Sequence, residues 1–164
     1  MADRNGTIAT ALMNTDRAAA DRHSSSYFMA AIMNDGSVRA WGRAVNGQQG
    51  TGNTGDIGRT FPARTAFPPG TPRIVSVTCV WDDTFFLDAD GGLWHAGGND
   101  AGLASGVGSA NPVPRKINGY GELPSNAVVK RVFTGHDYFG YRTVACLDAQ
   151  GRVYVWGYNQ QGCL

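Results

Sequence analysis

From residue 27 onward, short apolar runs alternate with clusters of Gly, Asn, Asp and Pro. Phe28 to Ile32, Phe85 to Leu87 and Val144 to Leu147 are such runs. Runs this short, bounded by turn residues, predict strands rather than helices. Each run leads into an Asp-Gly or Gln-Gly step, and apolar residues then resume at alternate positions, as at Val38 and Ala40 or Val153 and Val155. Side chains two apart on a strand share a face, so run, turn and alternation together predict a β-hairpin. Residues 1–26 follow another pattern. Ile8 to Arg22 contain good helix formers and no Gly or Pro, and Ser24-Ser25-Ser26 then interrupt them. We expect an N-terminal arm there, a short helix or a flexible docking segment, followed by a β-repeat region at 27–164.

The hairpin pattern recurs. Asp35-Gly36-Ser37-Val38-Arg39-Ala40-Trp41-Gly42 aligns with Asp90-Gly91-Gly92-Leu93-Trp94-His95-Ala96-Gly97. Both align with Gln150-Gly151-Arg152-Val153-Tyr154-Val155-Trp156-Gly157. Gly36, Gly91 and Gly151 are separated by 55 and 60 residues, and Gly42, Gly97 and Gly157 by the same intervals. Accessory residues keep their order: Asn46, Asn99 and Asn159 after the second glycine, then Pro62 and Pro112, then apolar runs at Ile74 to Val77 and Val128 to Phe133. Ordered self-similarity of this kind marks a repeat architecture. The first glycine supplies the positive φ of a tight turn. The second lets the chain bend beside Trp41 or Trp156, whose rings offer area for packing one sheet on the next.

These residues resemble the regulator of chromosome condensation repeat family, whose repeats carry an apolar strand, an Asp-Gly turn, Trp-Gly, an Asn, a Gln-Leu-Gly-like stretch and a later Pro. The best copies are Asp35 to Gln49, with Trp41-Gly42 and Gly47-Gln48-Gln49-Gly50, and Gln150 to Gly162, with Trp156-Gly157-Tyr158-Asn159. Gly135-His136 resembles the Gly-His ahead of a family strand. The middle copy departs, with Ala96 in place of Trp and Leu103-Ala104-Ser105-Gly106 in place of the Gly-rich stretch. The resemblance implies an all-β fold, a β-propeller with blades of four antiparallel strands. Family members usually close a ring of seven blades. This chain holds two full repeats and the start of a third, ending at Gly162-Cys163-Leu164 inside a motif. We therefore expect a partial propeller, either a piece of a longer polypeptide or a homo-oligomer whose chains assemble their blades together. Open sheet edges and apolar blade faces favour such association.

Composition narrows the function. At 42% hydrophobic and 16% charged residues, the chain folds rather than staying disordered. A net charge of +1 gives no pull toward nucleic acid or an anionic membrane, so neither is an expected partner. Lys116 and Lys130 are the only lysines, and Arg suits planar contacts better. Neither a signal peptide nor a membrane span is legible. Cys79 and Cys146 lie in strand-like runs and read as core thiols. Cys163 reads as a free thiol, with an intermolecular disulfide as the alternative. Gly50 to Gly55 matches a dinucleotide-binding pattern but lacks the flanking strand and helix, so it reads as a loop connecting blades. Asp88-Ala89-Asp90-Gly91 lacks the later oxygen ligands of a calcium loop and reads as a hairpin turn. His23, His95 and His136 show no metal spacing, and no Gly-x-Ser-x-Gly elbow is present. We expect no cofactor, no metal site and no enzymatic activity.

The residues left to carry function are largely aromatic. His136-Asp137-Tyr138-Phe139-Gly140-Tyr141-Arg142 is dense in the types favoured at binding hot spots. Tyr120 sits in a loop-like Asn118-Gly119-Tyr120-Gly121 setting. Tyr120, His136, Asp137, Tyr138, Tyr141 and Arg142 are the candidate binding surface. The expectation is a non-enzymatic recognition or assembly module for a protein or glycan partner. The family resemblance extends to repeats in phage structural proteins; by that analogy, with the Gly-rich composition, the arm and the missing signal, we expect a phage virion protein, a tail fibre or a capsid-attached protein, and otherwise a cytoplasmic setting. The alternatives are a nucleotide-exchange and chromatin-binding regulator of a small GTPase, implied by the family, and an inhibitor of a secreted enzyme.

Overall fold

The computed structural model describes residues 28–55, 59–98, 110–136, 142–159, 162 and 164. The expected arm at 1–26 lies outside the described residues, as do Asp137, Tyr138, Tyr141 and Cys163. Three antiparallel sheets follow one another along the chain. The first contains β1 (Phe28–Ile32), β2 (Val38–Gly42) and β3 (Arg59–Arg64). The second contains β4 (Ile74–Val80), β5 (Asp83–Asp88), β6 (Leu93–Gly98) and β7 (Ala110–Lys116). The third contains β8 (Val129–His136), β9 (Arg142–Asp148) and β10 (Val153–Gly157). These are blades 1, 2 and 3 of a partial β-propeller. Blade 2 has the expected four strands. Blade 1 shows the counterparts of its last three, and blade 3 those of its first three. Among the described residues no helix is long and apolar enough to cross a membrane.

One hairpin is built three times in the same register. Phe28 pairs with Gly42, Asp83 with Gly97, and Thr143 with Gly157. At the other end Ile32 pairs with Val38, Leu87 with Leu93, and Leu147 with Val153. The amides of Gly36, Gly91 and Gly151 donate to the carbonyls of Met33, Asp88 and Asp148 at 2.9, 3.1 and 3.1 Å. Two of the turns are also closed by the carboxylate of the residue that opens them. Asp88 Oδ1 accepts from the amides of Asp90 and Gly92, and Asp148 Oδ1 from those of Gln150 and Arg152. The Asp-Ala-Asp-Gly stretch is thus a hairpin turn.

Strand alternation places the cores. Phe86, Trp94 and Ala96 pack with Ala30, Ile32, Val38 and Ala40 in the blade 1–blade 2 seam. Their neighbours Phe85, Leu87 and Leu93 pack with Val129, Val144 and Cys146 in the blade 2–blade 3 seam. Trp156 and Tyr154 close that second seam. The central hairpin is therefore buried on both faces. Each fully buried large side chain there contributes about 1.5–3 kcal/mol. The equivalent positions on blade 3 differ. Val153 and Val155 do share a face, but it is bare: they are 63% and 43% exposed, and Phe133 beside them is 47% exposed.

The sequence repeat and the blade are out of phase. The stretch from Gly36 to Gly91 covers β2 and β3 of blade 1 and then β4 and β5 of blade 2. Covalent period sets the one, and strand pairing sets the other. For the same reason, the Gly50 to Gly55 loop joins β2 to β3 within a blade and does not connect two blades. The chain ahead of it is tucked into the seam beside β7. Gly47 lies so close that a Cβ there would stand 2.6 Å from the Pro112 Cα.

Candidate functional site

Strands β4 and β5 are joined by two residues, Trp81 and Asp82, with Val80 paired to Asp83 across the turn. A two-residue hairpin connection needs a positive φ, normally supplied by Gly, Asn or Asp. Here Trp81 supplies it, at φ 49°. A bulky residue in that region stores strain of order 1–3 kcal/mol and persists only where its surroundings over-determine it. The surroundings are two carboxylates. Asp82 in the turn and Asp83 at the start of β5 reach opposite neighbours.

Asp82 binds blade 1. Its Oδ1 accepts from Gln48 Nε2 at 2.9 Å and lies 3.3 Å from Arg43 Nη1, and its Oδ2 accepts from Asn46 Nδ2 at 2.7 Å. Gln48 is itself fixed, since its carbonyl accepts from Thr84 Oγ1 at 2.7 Å. Asp83 faces blade 3. Its Oδ1 is 2.8 Å from His95 Nε2, and its Oδ2 is 3.2 Å from Arg142 Nε. Burial pushes the Asp83 carboxyl above the usual carboxylate range, against the pull of His95 and Arg142. The side chains of Asp83 and His95 are wholly buried, so no substrate reaches this acid–imidazole pair. Through Arg142 of β9, the pair is tied to blade 3. Among the described residues no three His, Cys, Asp or Glu side chains are grouped as metal ligands.

Gly97 holds the turn from behind. Its φ is 131°, and a Cβ there would stand 2.2 Å from the Asp82 carbonyl oxygen. The next amide, Gly98 N, donates to that same oxygen at 2.9 Å. The second glycine of the repeat thus admits the Trp81–Asp82 turn against the end of β6.

The predicted surface is divided. His136 ends β8 and pairs with Arg142 at the start of β9, at the same end of the blades as Trp81. Arg142 departs from the expectation: it is 3% exposed, because its guanidinium turns inward to Asp83. Tyr120, 43% exposed, lies at the opposite end, in the loop between β7 and β8. Trp81, Asp82 and Asp83 were not among the expected site residues. A visible signal existed: a tryptophan sits between two apolar runs at the point where a turn former belongs.

Residues 35–87 match the model of the regulator of chromosome condensation (RCC1) repeat. The chain is 28% identical over 134 residues to the Ultraviolet-B receptor UVR8 of Arabidopsis thaliana, covering 81% of this chain and 28% of the receptor. Human WBSCR16 superposes with a TM-score of 0.65 at 22% identity, over 84% of this chain and 33% of that protein. Prp20p from Saccharomyces cerevisiae, studied for its binding to Gsp1p and histones, superposes with a TM-score of 0.68 at 22% identity, over 83% of this chain and 32% of its own. The chain therefore spans about a third of the length of these relatives.

Proposed function

We propose that this RCC1-type β-propeller segment is a non-enzymatic module that binds a partner protein at the Trp81 end of its blades. The strained Trp81 turn carries the reading. Its half-buried indole stands on a backbone clamped through Asp82 and Asp83 into both neighbouring blades. An aromatic already immobilised loses little freedom on binding, which is what an interface anchor requires. Arg43, with 37% of its side chain exposed beside Asp82, adds a second residue of the hot-spot type. A photo-crosslinking residue placed at Trp81, and separately at Gly151 on the opposite end, tests this in extract of the native cell. A discrete adduct from position 81 supports it, with or without one from position 151. Adducts only from position 151, or none from either, refute it.

Regulation of a small GTPase is a narrower form of the same reading. The likeness to Prp20p carries the fold and not the partner, so release of fluorescent GDP from Gsp1p is the direct assay. The near-neutral charge weighs against chromatin binding. The virion setting and a glycan ligand draw no support from this geometry, and the relatives named above are plant, human and yeast proteins. We place protein recognition ahead of both. The bare Val153, Val155 and Phe133 face favours further assembly, which sedimentation of the chain would reveal.

A further inference from the structure

At the opposite end of the blade 1–blade 2 seam from Trp81 lies a recess of about 370 Å³. Its wall comes from the β1–β2 turn at 36–38, the end of β3 at 64–67, and the approach to β4 at 71–74. That volume suits a small ligand or one or two peptide side chains. The floor is apolar, with Val38 and Ile74 buried in the seam. The Phe67 ring is held edge-on to Phe86 and Trp94, at 5.0 and 6.3 Å between centroids. The charged residues lining the recess are Arg64 and Arg73, both exposed. Neither side chain has an ion-pair partner among the described residues. Across β2 and β3, Arg64 also stands opposite Arg39, and like charges so placed repel. The acid next to the recess, Asp35, accepts from Ser37 N and Ser37 Oγ at 2.8 and 2.6 Å and is drawn to Arg39 and Arg64 only through longer-range attraction.

We propose that this recess binds an acidic peptide segment of a partner protein. Its carboxylates meet Arg64 and Arg73, and an apolar side chain enters against Phe67 and Ile74. Guanidinium groups take carboxylates in a planar, two-point geometry that a solvated ammonium does not offer. The apolar floor gives a peptide side chain a contact that a free phosphate cannot use.

The probe is a fluorescein-labelled, blocked pentapeptide of three glutamates alternating with two leucines, titrated against the whole chain by anisotropy. Saturable binding is expected, weakened about tenfold by Arg64→Ala with Arg73→Ala, a loss of about 1.4 kcal/mol. Both arginines are exposed and Arg64 is repelled by Arg39, so the unfolding midpoint should not fall. Trp81→Ala should leave this binding intact, which separates the recess from the site at the other end. The proposal is overturned if a lysine-for-glutamate peptide binds equally well, or if the double variant binds like the wild type. It is overturned too if inorganic phosphate displaces the peptide at matched concentration, or if a serine-for-leucine peptide binds unchanged.

Discussion

Replacing Gly97 with Ala adds one methyl group at the point where β6 meets the Trp81–Asp82 turn. The new Cβ would stand 2.2 Å from the Asp82 carbonyl oxygen and 2.8 Å from the Asp83 Cα. Both are backbone atoms, one in the turn and one at the start of β5, so neither can rotate away as a flexible side chain would. Ordinary contact begins near 3.4 Å, so the strand and the turn must separate by roughly 1 Å. Overpacking of this kind costs about 1–3 kcal/mol, and a non-Gly residue at positive φ about 1–2 kcal/mol more. Separation also stretches the 2.9 Å bond from Gly98 N to Asp82, worth about 0.5–1.5 kcal/mol. The total, about 2.5–6.5 kcal/mol, rivals the whole stability of a marginal domain. Gly36→Ala is the control. Its φ is 79°, but nothing lies within 4 Å of the added Cβ, so only the conformational cost of about 1–2 kcal/mol applies. Urea unfolding followed by tryptophan fluorescence measures both. If the two substitutions cost the same, the close approach of β6 to the turn is not what this glycine serves.

Trp81→Gly relieves strain of order 1–3 kcal/mol but removes the contacts of the half-buried indole, so its unfolding midpoint should shift little, while partner crosslinking from a photo-reactive residue placed at Arg43 falls; unchanged crosslinking would take the indole out of the interface. Burial raises the Asp148 carboxyl, but hydrogen bonds from Arg152, Gln150 and Tyr154 outweigh it and hold it below its ordinary 3.8. Its stabilisation is therefore present above about pH 4 and lost as pH falls through the lowered value, and Asp148→Asn should flatten that limb of an acid-unfolding titration. Asp83 has the opposite sign: its raised value makes its contribution favourable at low pH and lost as pH rises. Burial pushes the Cys79 and Cys146 thiols up to about 12 and about 11, so at pH 8 iodoacetamide should leave both unmodified in the native chain and label both in urea, as read by peptide mass.

The sequence by itself determined the hairpin and its period. The register pairs Phe28 with Gly42, Asp83 with Gly97 and Thr143 with Gly157. It follows from glycines at fixed spacing, because a turn needing positive φ and a two-residue strand alternation are local constraints. The all-β fold and the propeller likeness were legible for that reason. Local constraints do not say which strands share a sheet, so the repeat was read in a different phase from the blade. They do not say which face is covered either. Val38 and Val153 hold equivalent places in the repeat, yet one is buried and the other bare. Only the tertiary structure decided what the two carboxylates after Trp81 are for. In the sequence Asp82 and Asp83 are neighbours with nothing to separate them. In the fold they point to opposite seams, to partners 34 to 39 residues earlier and 12 residues or more later in the chain. Arg142, taken from the sequence as part of a binding surface, is drawn inward by the same arrangement. Long-range pairing of buried charges depends on which chain segments meet, and the order of residues along the chain does not record that.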